Sequence, residues 1–221
     1  MQFIVADMWT NFFDITVVIN LNKRKDRKDY IAAELGKYNI PHFYWIATEN
    51  PNGKLGICQT MIYLFEFFLA TGKDKILVFE DDAEFLIDPN NVMDKVVQQL
   101  PQDFHLLFLG ANVFKPFKAK YSENLLLLNE AISCHAVCYS KAAVEIILPR
   151  YKEMLQGKSI FRQTDMALNH YVVKLGKSFC TYPLLCTQRS DFSDIEKRKV
   201  NYKNFLIDRY IKQLWDLSSK T

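Results

Sequence analysis

Apolar residues along this chain form short runs that alternate with longer segments of helical periodicity. The runs are rich in β-branched and aromatic residues and end in polar residues, which is typical of buried strands. Strands are predicted over 16–21, 42–46, 75–79 and 104–109. Helices are predicted between them over 26–38, 55–70 and 88–100, with Asp26 and Asp88 as N-caps.

The order of these elements indicates the fold class. Nearly continuous apolar strands separated by helices predict a largely parallel sheet covered on both faces. After Gly110 the pattern changes, and a small antiparallel part is expected there. The remaining predicted elements are short strands at 125–128 and 136–139, helices at 141–155 and 164–175, a strand at 178–185, a polar loop at 186–196 and a terminal helix at about 197–218. We therefore predict one α/β domain over 1–221.

Composition narrows the class of protein. The chain carries 28 basic and 25 acidic residues, and this balance argues against nucleic acid as its partner. Its five cysteines contain no CxxC pair, so reduced buried thiols and a reducing compartment are expected. No apolar stretch reaches the roughly 18–20 residues that a membrane span needs. We expect a cytoplasmic protein without a transmembrane segment, and leave contact with a membrane surface open.

Three carboxylates, Glu80, Asp81 and Asp82, follow the strand predicted at 75–79. Ligands of open α/β sheets bind beyond the carboxyl ends of the strands. Adjacent carboxylates repel one another unless a cation lies among them, and oxygen ligands suit Mn²⁺ or Mg²⁺. We predict a Mn²⁺ (or Mg²⁺) site at Glu80 and Asp82, which share one face if the strand geometry continues. The alternative is a solvated acidic cluster.

Two arginines, Arg24 and Arg27, lie near the start of the first predicted helix. Guanidinium groups match phosphate oxygens bidentately, and a helix N-terminus adds backbone donors. Both arginines are therefore candidates to contact a diphosphate. The alternative is a solvated basic loop.

Six segments resemble, in matching order, glycosyltransferase family 25, the lipooligosaccharide and procollagen galactosyltransferase family. They cover residues from about 16 to 196. They are 18–21 followed by Arg27, 56–61, 78–83, 134–143, 163–165 and 182–195. The resemblance implies a GT-A-type fold, a divalent metal, a UDP-sugar donor carrying galactose or glucose, a hydroxyl of a glycan or protein as acceptor, and inversion at the anomeric carbon.

The resemblance also implies roles for particular residues. Asp165 is the first candidate for the catalytic base, with a helix cap or an acceptor contact as the alternative. His135 is the second candidate and is expected to line the cleft, although a lone histidine is often a core residue. The implied donor-binding residues are Asn20, Leu21, Arg24, Arg27, Thr48, Glu49, Gly56, Asp81 and Gln188. Gln188 belongs to the polar loop, which could close over the donor.

One departure from the family pattern bears on activity. Thr60 and Met61 stand where family members usually carry Ser-His, and that histidine could contact donor phosphate or acceptor. The departure keeps open a transferase-fold binding protein without turnover. A metal-dependent nucleotidyl or phosphoryl transferase is a further alternative, although the chain has no Gly-rich phosphate loop.

Overall fold

The computed structural model describes residues 9–113 and 115–218, in which the largest sheet has eight strands in the order β2-β1-β3-β8-β5-β9-β7-β6. Two small antiparallel pairs, β10 with β4 and β11 with β12, lie beside it. The strands are β1 (Ile15–Asn20), β2 (Phe43–Ile46), β3 (Lys75–Glu80), β4 (Ala83–Phe85), β5 (Leu106–Val113), β6 (Ala119–Lys120), β7 (Leu125–Leu127), β8 (Ala131–Ser140), β9 (Ser178–Thr181), β10 (Cys186–Gln188), β11 (Asp191–Ser193) and β12 (Arg198–Val200).

Most strands of the large sheet run in one direction. β1 pairs in parallel with β2 and β3, and β5 pairs in parallel with β9. β8 is antiparallel to both β3 and β5, and β7 is antiparallel to β9 and β6. Only β7 and β8 therefore run against the other strands of this described sheet. The α/β fold class predicted from the sequence is confirmed.

Helices cover both faces of the sheet, because alternate strand residues point to opposite sides. Val17 and Ile19 of β1 join the apolar core under α2, α4 and α5, whereas Val18 joins the core under α1 and α3. The helices are α1 (Lys25–Gly36), α2 (Gly53–Ala70), α3 (Met93–Gln99), α4 (Lys141–Leu155), α5 (Thr164–Tyr171) and α6 (Lys203–Ser218).

The largest difference from the predicted elements is β8, a ten-residue strand where only 136–139 was expected. The polar residues Ser133, Cys134 and His135 interrupt its apolar pattern. Ser133 has a left-handed backbone with φ of 67°, and the pairing with β5 shifts register near Gly110. β3 pairs with 136–140 of β8, and β5 pairs with residues on both sides of 133–135. No local sequence pattern reveals this long-range pairing.

Several element ends also differ from the prediction. Asp26 is not the N-cap of α1, because Arg24 occupies that position and Asp26 lies in the first turn. The side chain of Asp88 does cap a turn, but the turn is a short 3₁₀ helix that precedes α3. The polar loop expected at 186–196 contains β10 and β11, and the terminal helix begins at Lys203 instead of 197.

The cysteines are unpaired, as expected, and four of the five are buried. Among the described residues, no helix combines the length and the apolar character that crossing a bilayer requires.

Gly110 of β5 packs tightly against Cys186 and His135. A substitution at this position therefore tests the fold. A Cβ at Gly110 would overlap the carbonyl oxygen of Cys186 and lie 2.6 Å from Nε2 of His135. We expect Gly110→Ala to lower the free energy of unfolding by about 3 kcal/mol or more, because buried backbone must move. Urea unfolding followed by circular dichroism measures this.

Gly36→Ala is the matched control, since Gly36 lies in α1 and a Cβ there meets nothing within 4 Å. It should leave stability unchanged or raise it by about 0.5–1 kcal/mol, because alanine favours the helix. Equal stability of the two variants would contradict the packing described at Gly110.

Candidate functional site

A cleft of about 750 Å³ opens at the carboxyl ends of β1 and β3. Its other walls come from the segment after β2, the first turns of α2 and α5, the start of β8, and the β11–β12 hairpin (191–200), called the hairpin below. The predicted site residues that line it are Leu21, Arg27, Thr48, Glu49, Glu80, Asp81, Asp82, Asp165 and Gln188. Segments far apart in sequence thus meet at the sheet edge where ligands of such folds bind.

Arg27 is the centre of a buried ionic network at this edge. It projects from the first turn of α1, and its Nη1 donates to Asp81 at 2.6 Å and to Asp82 at 3.2 Å. Its Nε donates to Asp191 at 3.0 Å, and its Nη2 to the carbonyl oxygen of Phe192 at 3.1 Å. Each nitrogen of this guanidinium therefore already has a protein acceptor. The structure places Arg27 in the site as predicted, but engaged by carboxylates.

Arg24 forms a second set of bonds to the hairpin. Its Nη1 lies 2.6 Å from Asp194, its Nη2 lies 3.1 Å from Asp191, and its Nε donates to Asp26 at 3.0 Å. Arg24 does not line the cleft. Together the two arginines attach the hairpin to α1. The polar loop expected from the sequence therefore forms one wall of the cleft and is bonded to α1 in this structure.

Asp81 and Asn20 belong to the framework under the cleft. Asn20 is buried, and its amide donates to Asp81 at 2.7 Å and to the carbonyl oxygen of Arg24 at 3.2 Å. Burial raises the pKa of the Asp81 carboxyl above its ordinary value, while Arg27 opposes that rise. The neighbouring donors thus hold a costly buried charge in one orientation.

Glu80 and Asp82 point to the same amide, because Nε2 of Gln188 lies 3.5 Å from an oxygen of each. Burial, and then repulsion by Asp82 and Asp81, raises the pKa of Glu80 to about 8. Burial also raises the pKa of Asp82. Glu80 and Asp82 lie close together and both have raised pKa values. A cation bound between them would stabilise their ionised forms.

The donor set fits a hard divalent cation. Within 9–113 and 115–218, no group of three or more His, Cys, Asp or Glu side chains is arranged to hold a metal. Mg²⁺ and similar ions, however, are usually held by one or two carboxylates together with substrate phosphates and water. Glu80 and Asp82 supply such a pair inside the cleft, so the predicted residues are compatible with Mn²⁺ or Mg²⁺.

Asp165 lies in the cleft at the second position of α5, and Gln163 is the N-cap of that helix. Its Oδ1 accepts from the backbone of Met166 at 2.8 Å, and its Oδ2 from Ser133 at 3.5 Å. Burial raises the pKa of the carboxyl. Asp165 is therefore not the cap of the helix, and it is an acceptor with spare lone pairs next to the acidic edge.

His135 lies in the interior and does not line the cleft, contrary to the expectation. Its Nε2 lies 3.3 Å from the carbonyl oxygen of Cys186, and burial lowers its pKa to about 4. β8 lies between β3 and β5 in the sheet, and His135 is buried there together with its apolar neighbours Ala136 and Val137. This geometry favours the core alternative named above.

Of the α2 residues singled out in the sequence, Thr60 lines the cleft, whereas Met61 and the predicted donor-binding residue Gly56 do not. A Cβ at Gly56 would lie 2.9 Å from the carbonyl oxygen of Thr48, so glycine allows α2 to approach that loop. Thr60 accepts from the backbone of Thr48 at 2.8 Å and lines the cleft, whereas Met61 is buried in the core. The departure at Met61 thus changes a core position in this structure.

Four cationic residues that line the cleft were not among the predicted site residues: Lys23, Lys54, Arg189 and Lys197. Arg189 lies 4.0 Å from the centre of the Tyr30 ring, and its backbone donates to the carbonyl oxygen of Asp82. Lys197 begins the basic run 197–199, which the sequence analysis placed in the terminal helix. Only the pairing of β11 with β12 shows that this run returns to the cleft.

Comparison with known proteins gives a likeness in fold. No protein-family model matches the chain, and no curated protein matches it. Among solved structures, A197 from STIV has a TM-score of 0.50 at 10% identity, over 85% of this chain and 92% of that one. A UDP-glucose pyrophosphorylase complexed with UDP-glucose has a TM-score of 0.46 at 12% identity, over 94% and 82% of the two chains.

A further structure is a glycosyltransferase involved in the glycosylation of the major capsid of PBCV-1. It has a TM-score of 0.44 at 12% identity and covers 75% of this chain and 80% of that one. The likeness to A197 shows the fold alone.

The Arg27 network yields a test of the site's architecture. Arg27→Met removes the donor from a buried carboxylate, and we expect it to lower the free energy of unfolding by about 3 kcal/mol. The double variant Arg27→Met with Asp81→Asn should recover part of this loss, because the unpaired charge is also removed. Urea unfolding at neutral pH measures both effects.

Arg198→Met is the control, since Arg198 is an exposed arginine of the hairpin. It should change stability by less than about 0.5 kcal/mol. If Arg27→Met were as stable as the parent, the network would not stabilise this edge of the sheet.

Proposed function

We propose that this protein is a metal-dependent inverting glycosyltransferase that moves a sugar, galactose or glucose, from a UDP-sugar to a hydroxyl of a glycan or protein. One observation carries the proposal: a single cleft contains the paired carboxylates Glu80 and Asp82 at the end of β3 and a separate carboxylate, Asp165, on α5. The six segments that resemble glycosyltransferase family 25 support it. Four of these segments supply Arg27, the acidic triplet 80–82, Asp165 and Gln188 to this cleft.

Glu80 and Asp82 are the residues that would hold Mn²⁺ or Mg²⁺. When bound, the ion would offset the charge that grows on the departing nucleoside diphosphate. Gln188 orients both carboxylates through its amide. Arg27 draws Asp82 and Asp81 toward α1, and so keeps one oxygen of Asp82 directed at Gln188 and the cleft.

Asp165 is proposed to take the proton from the acceptor hydroxyl. Inversion requires such a base, because the acceptor attacks directly as the donor bond breaks. Burial raises the pKa of this carboxyl, which makes it a stronger base than an exposed aspartate. The backbone donors of Ser133 and Met166 fix its orientation.

The departure at Thr60-Met61 does not oppose turnover in this geometry. Met61 packs in the core beneath α2, so replacing a histidine there leaves the cleft wall formed by Thr60 and its neighbours. Thr60 instead fixes the loop at Thr48. We propose that this loop, with Glu49, contacts the nucleoside of the donor.

The test of the function is a panel of UDP-sugars with Mn²⁺, in which release of UDP is measured without acceptor. Slow hydrolysis of one donor would identify the sugar. Pyrophosphate release from a nucleoside triphosphate and a sugar phosphate, without UDP release from any donor, would overturn the proposal in favour of a nucleotidyl transferase.

Asp82→Asn tests the metal role. The variant keeps the shape of the side chain but loses the charge, so we expect metal-dependent UDP release to fall below detection while far-UV circular dichroism is unchanged. Asp29→Asn, at an exposed position of α1, is the control and should keep the parent's rate. Near-parent transfer by Asp82→Asn would remove Asp82 from the metal site.

Asp165→Asn tests the base. We expect transfer to slow by about 10²–10⁴-fold, equivalent to roughly 3–5 kcal/mol of barrier, with little change in UDP affinity. The base acts in its ionised form and burial raises its pKa. The parent's rate should therefore be full above that raised pKa and fall as pH decreases through it.

Because Asp165→Asn removes the titrating group, the variant should lack this acidic limb in a profile of kcat against pH. Asp208→Asn, an exposed change on α6, should keep both the rate and the profile. An unchanged rate in Asp165→Asn would exclude Asp165 as the base.

A further inference from the structure

Two of the cleft's lysines lie where the hairpin meets α2. Lys54 is in the first turn of α2, and Lys197 lies between β11 and β12. The two segments touch, because a Cβ at Gly53 would lie 3.1 Å from Cα of Ile195. Lys54 directly follows Gly53, and Lys197 comes two residues after Ile195. Both lysines therefore line the cleft from segments that meet at the junction of the hairpin and α2.

Neither lysine forms a direct salt bridge with a carboxylate in the described part of the chain. The salt bridges found within 9–113 and 115–218 include neither of them. Three acidic side chains on this side form salt bridges with other residues. Glu49 pairs with Lys23 at 3.6 Å, Asp194 with Arg24 at 2.6 Å, and Glu196 with Arg198 at 2.6 Å. Two lysines thus line the cleft without a direct salt-bridge partner in the described part of the chain, and Asp165 is the carboxylate near enough to Lys54 for their charges to interact.

The local backbone disfavours a lysine at both positions. Lys197 has φ of 57°, in the left-handed region where glycine or asparagine is favoured. Lys54 places a positive charge at the positive end of an 18-residue helix. An unfavourable residue held at a cleft is a reason to look for a function.

The arginines that the sequence suggested for phosphate are already bonded to Asp81, Asp82, Asp191 and Asp194. Phosphate oxygens entering the cleft must find other donors. We infer that Lys54 and Lys197 form an anion site that holds the diphosphate of the nucleotide donor, on the hairpin side of the cleft. The nature of the anion, a nucleoside diphosphate, rests on the proposed function.

The lysines also differ in what they touch. Lys54 is close enough to Asp165 for its charge to oppose the rise of that carboxyl's pKa. Lys197 belongs to the hairpin that Arg24 and Arg27 attach to α1. A diphosphate bound by both amines would therefore lie between Asp165 and the hairpin, and would bridge the hairpin and α2.

The inference is tested by isothermal titration calorimetry of the full chain with UDP and with inorganic pyrophosphate, each in the presence of Mn²⁺. The variants are Lys54→Met, Lys197→Gly and the double variant. Loss of one charge-assisted contact should weaken binding of both ligands about tenfold, and loss of both should weaken it about 100-fold.

Lys197→Gly separates binding from folding, because glycine relieves the left-handed backbone and should keep or raise the melting temperature. Lys199→Gln, an exposed lysine of the same hairpin that does not line the cleft, is the control for a change in net charge and should bind both ligands like the parent.

Binding of UDP and pyrophosphate by Lys54→Met and Lys197→Gly at the parent's affinity would overturn the inference. So would a parent that binds neither ligand. A parent that binds pyrophosphate through the two lysines but never binds UDP or consumes a UDP-sugar would uphold the anion site and overturn the proposed function.

Discussion

The guanidinium of Arg27 is the interaction on which the rest of the site depends. It is buried, and it bonds to Asp81 and Asp82 beyond β3 and to Asp191 of the hairpin. A planar group with fixed donors can satisfy three carboxylates at once, which a lysine amine cannot do with the same geometry. The strand end, the first helix and the hairpin therefore share one anchor. Glu80 and one oxygen of Asp82 form no hydrogen bond with it and lie near the amide of Gln188 instead.

Burial and charge act against each other throughout this edge. Burial alone would favour protonated carboxyls, and the raised pKa of Glu80 shows that the protein does not fully compensate its charge. The pKa of Asp81 is raised as well, but its two oxygens are bonded to Arg27 and Asn20, so it serves as framework. This difference between neighbouring residues separates the structural member of the acidic triplet from the two that can take a cation.

The sequence was informative where one local pattern decides the outcome. Apolar runs identified β1, β3 and α4, and the acidic triplet after a buried strand identified the ligand edge of the sheet. It was uninformative where pairing at long range decides. The length of β8, the burial of His135 and the hairpin that engages both arginines depend on partners far away in sequence. Lys197 was missed because only the folded hairpin brings the basic run back to the cleft.

The antiparallel strand β8 has a consequence for selectivity. It is hydrogen-bonded to β3, which ends at Glu80, and its residue Ser133 donates to Asp165. The two carboxylate regions are therefore connected through β8, by way of its irregular segment at Ser133. A ligand that contacts both carboxylate regions must therefore match the distance that β8 sets between them.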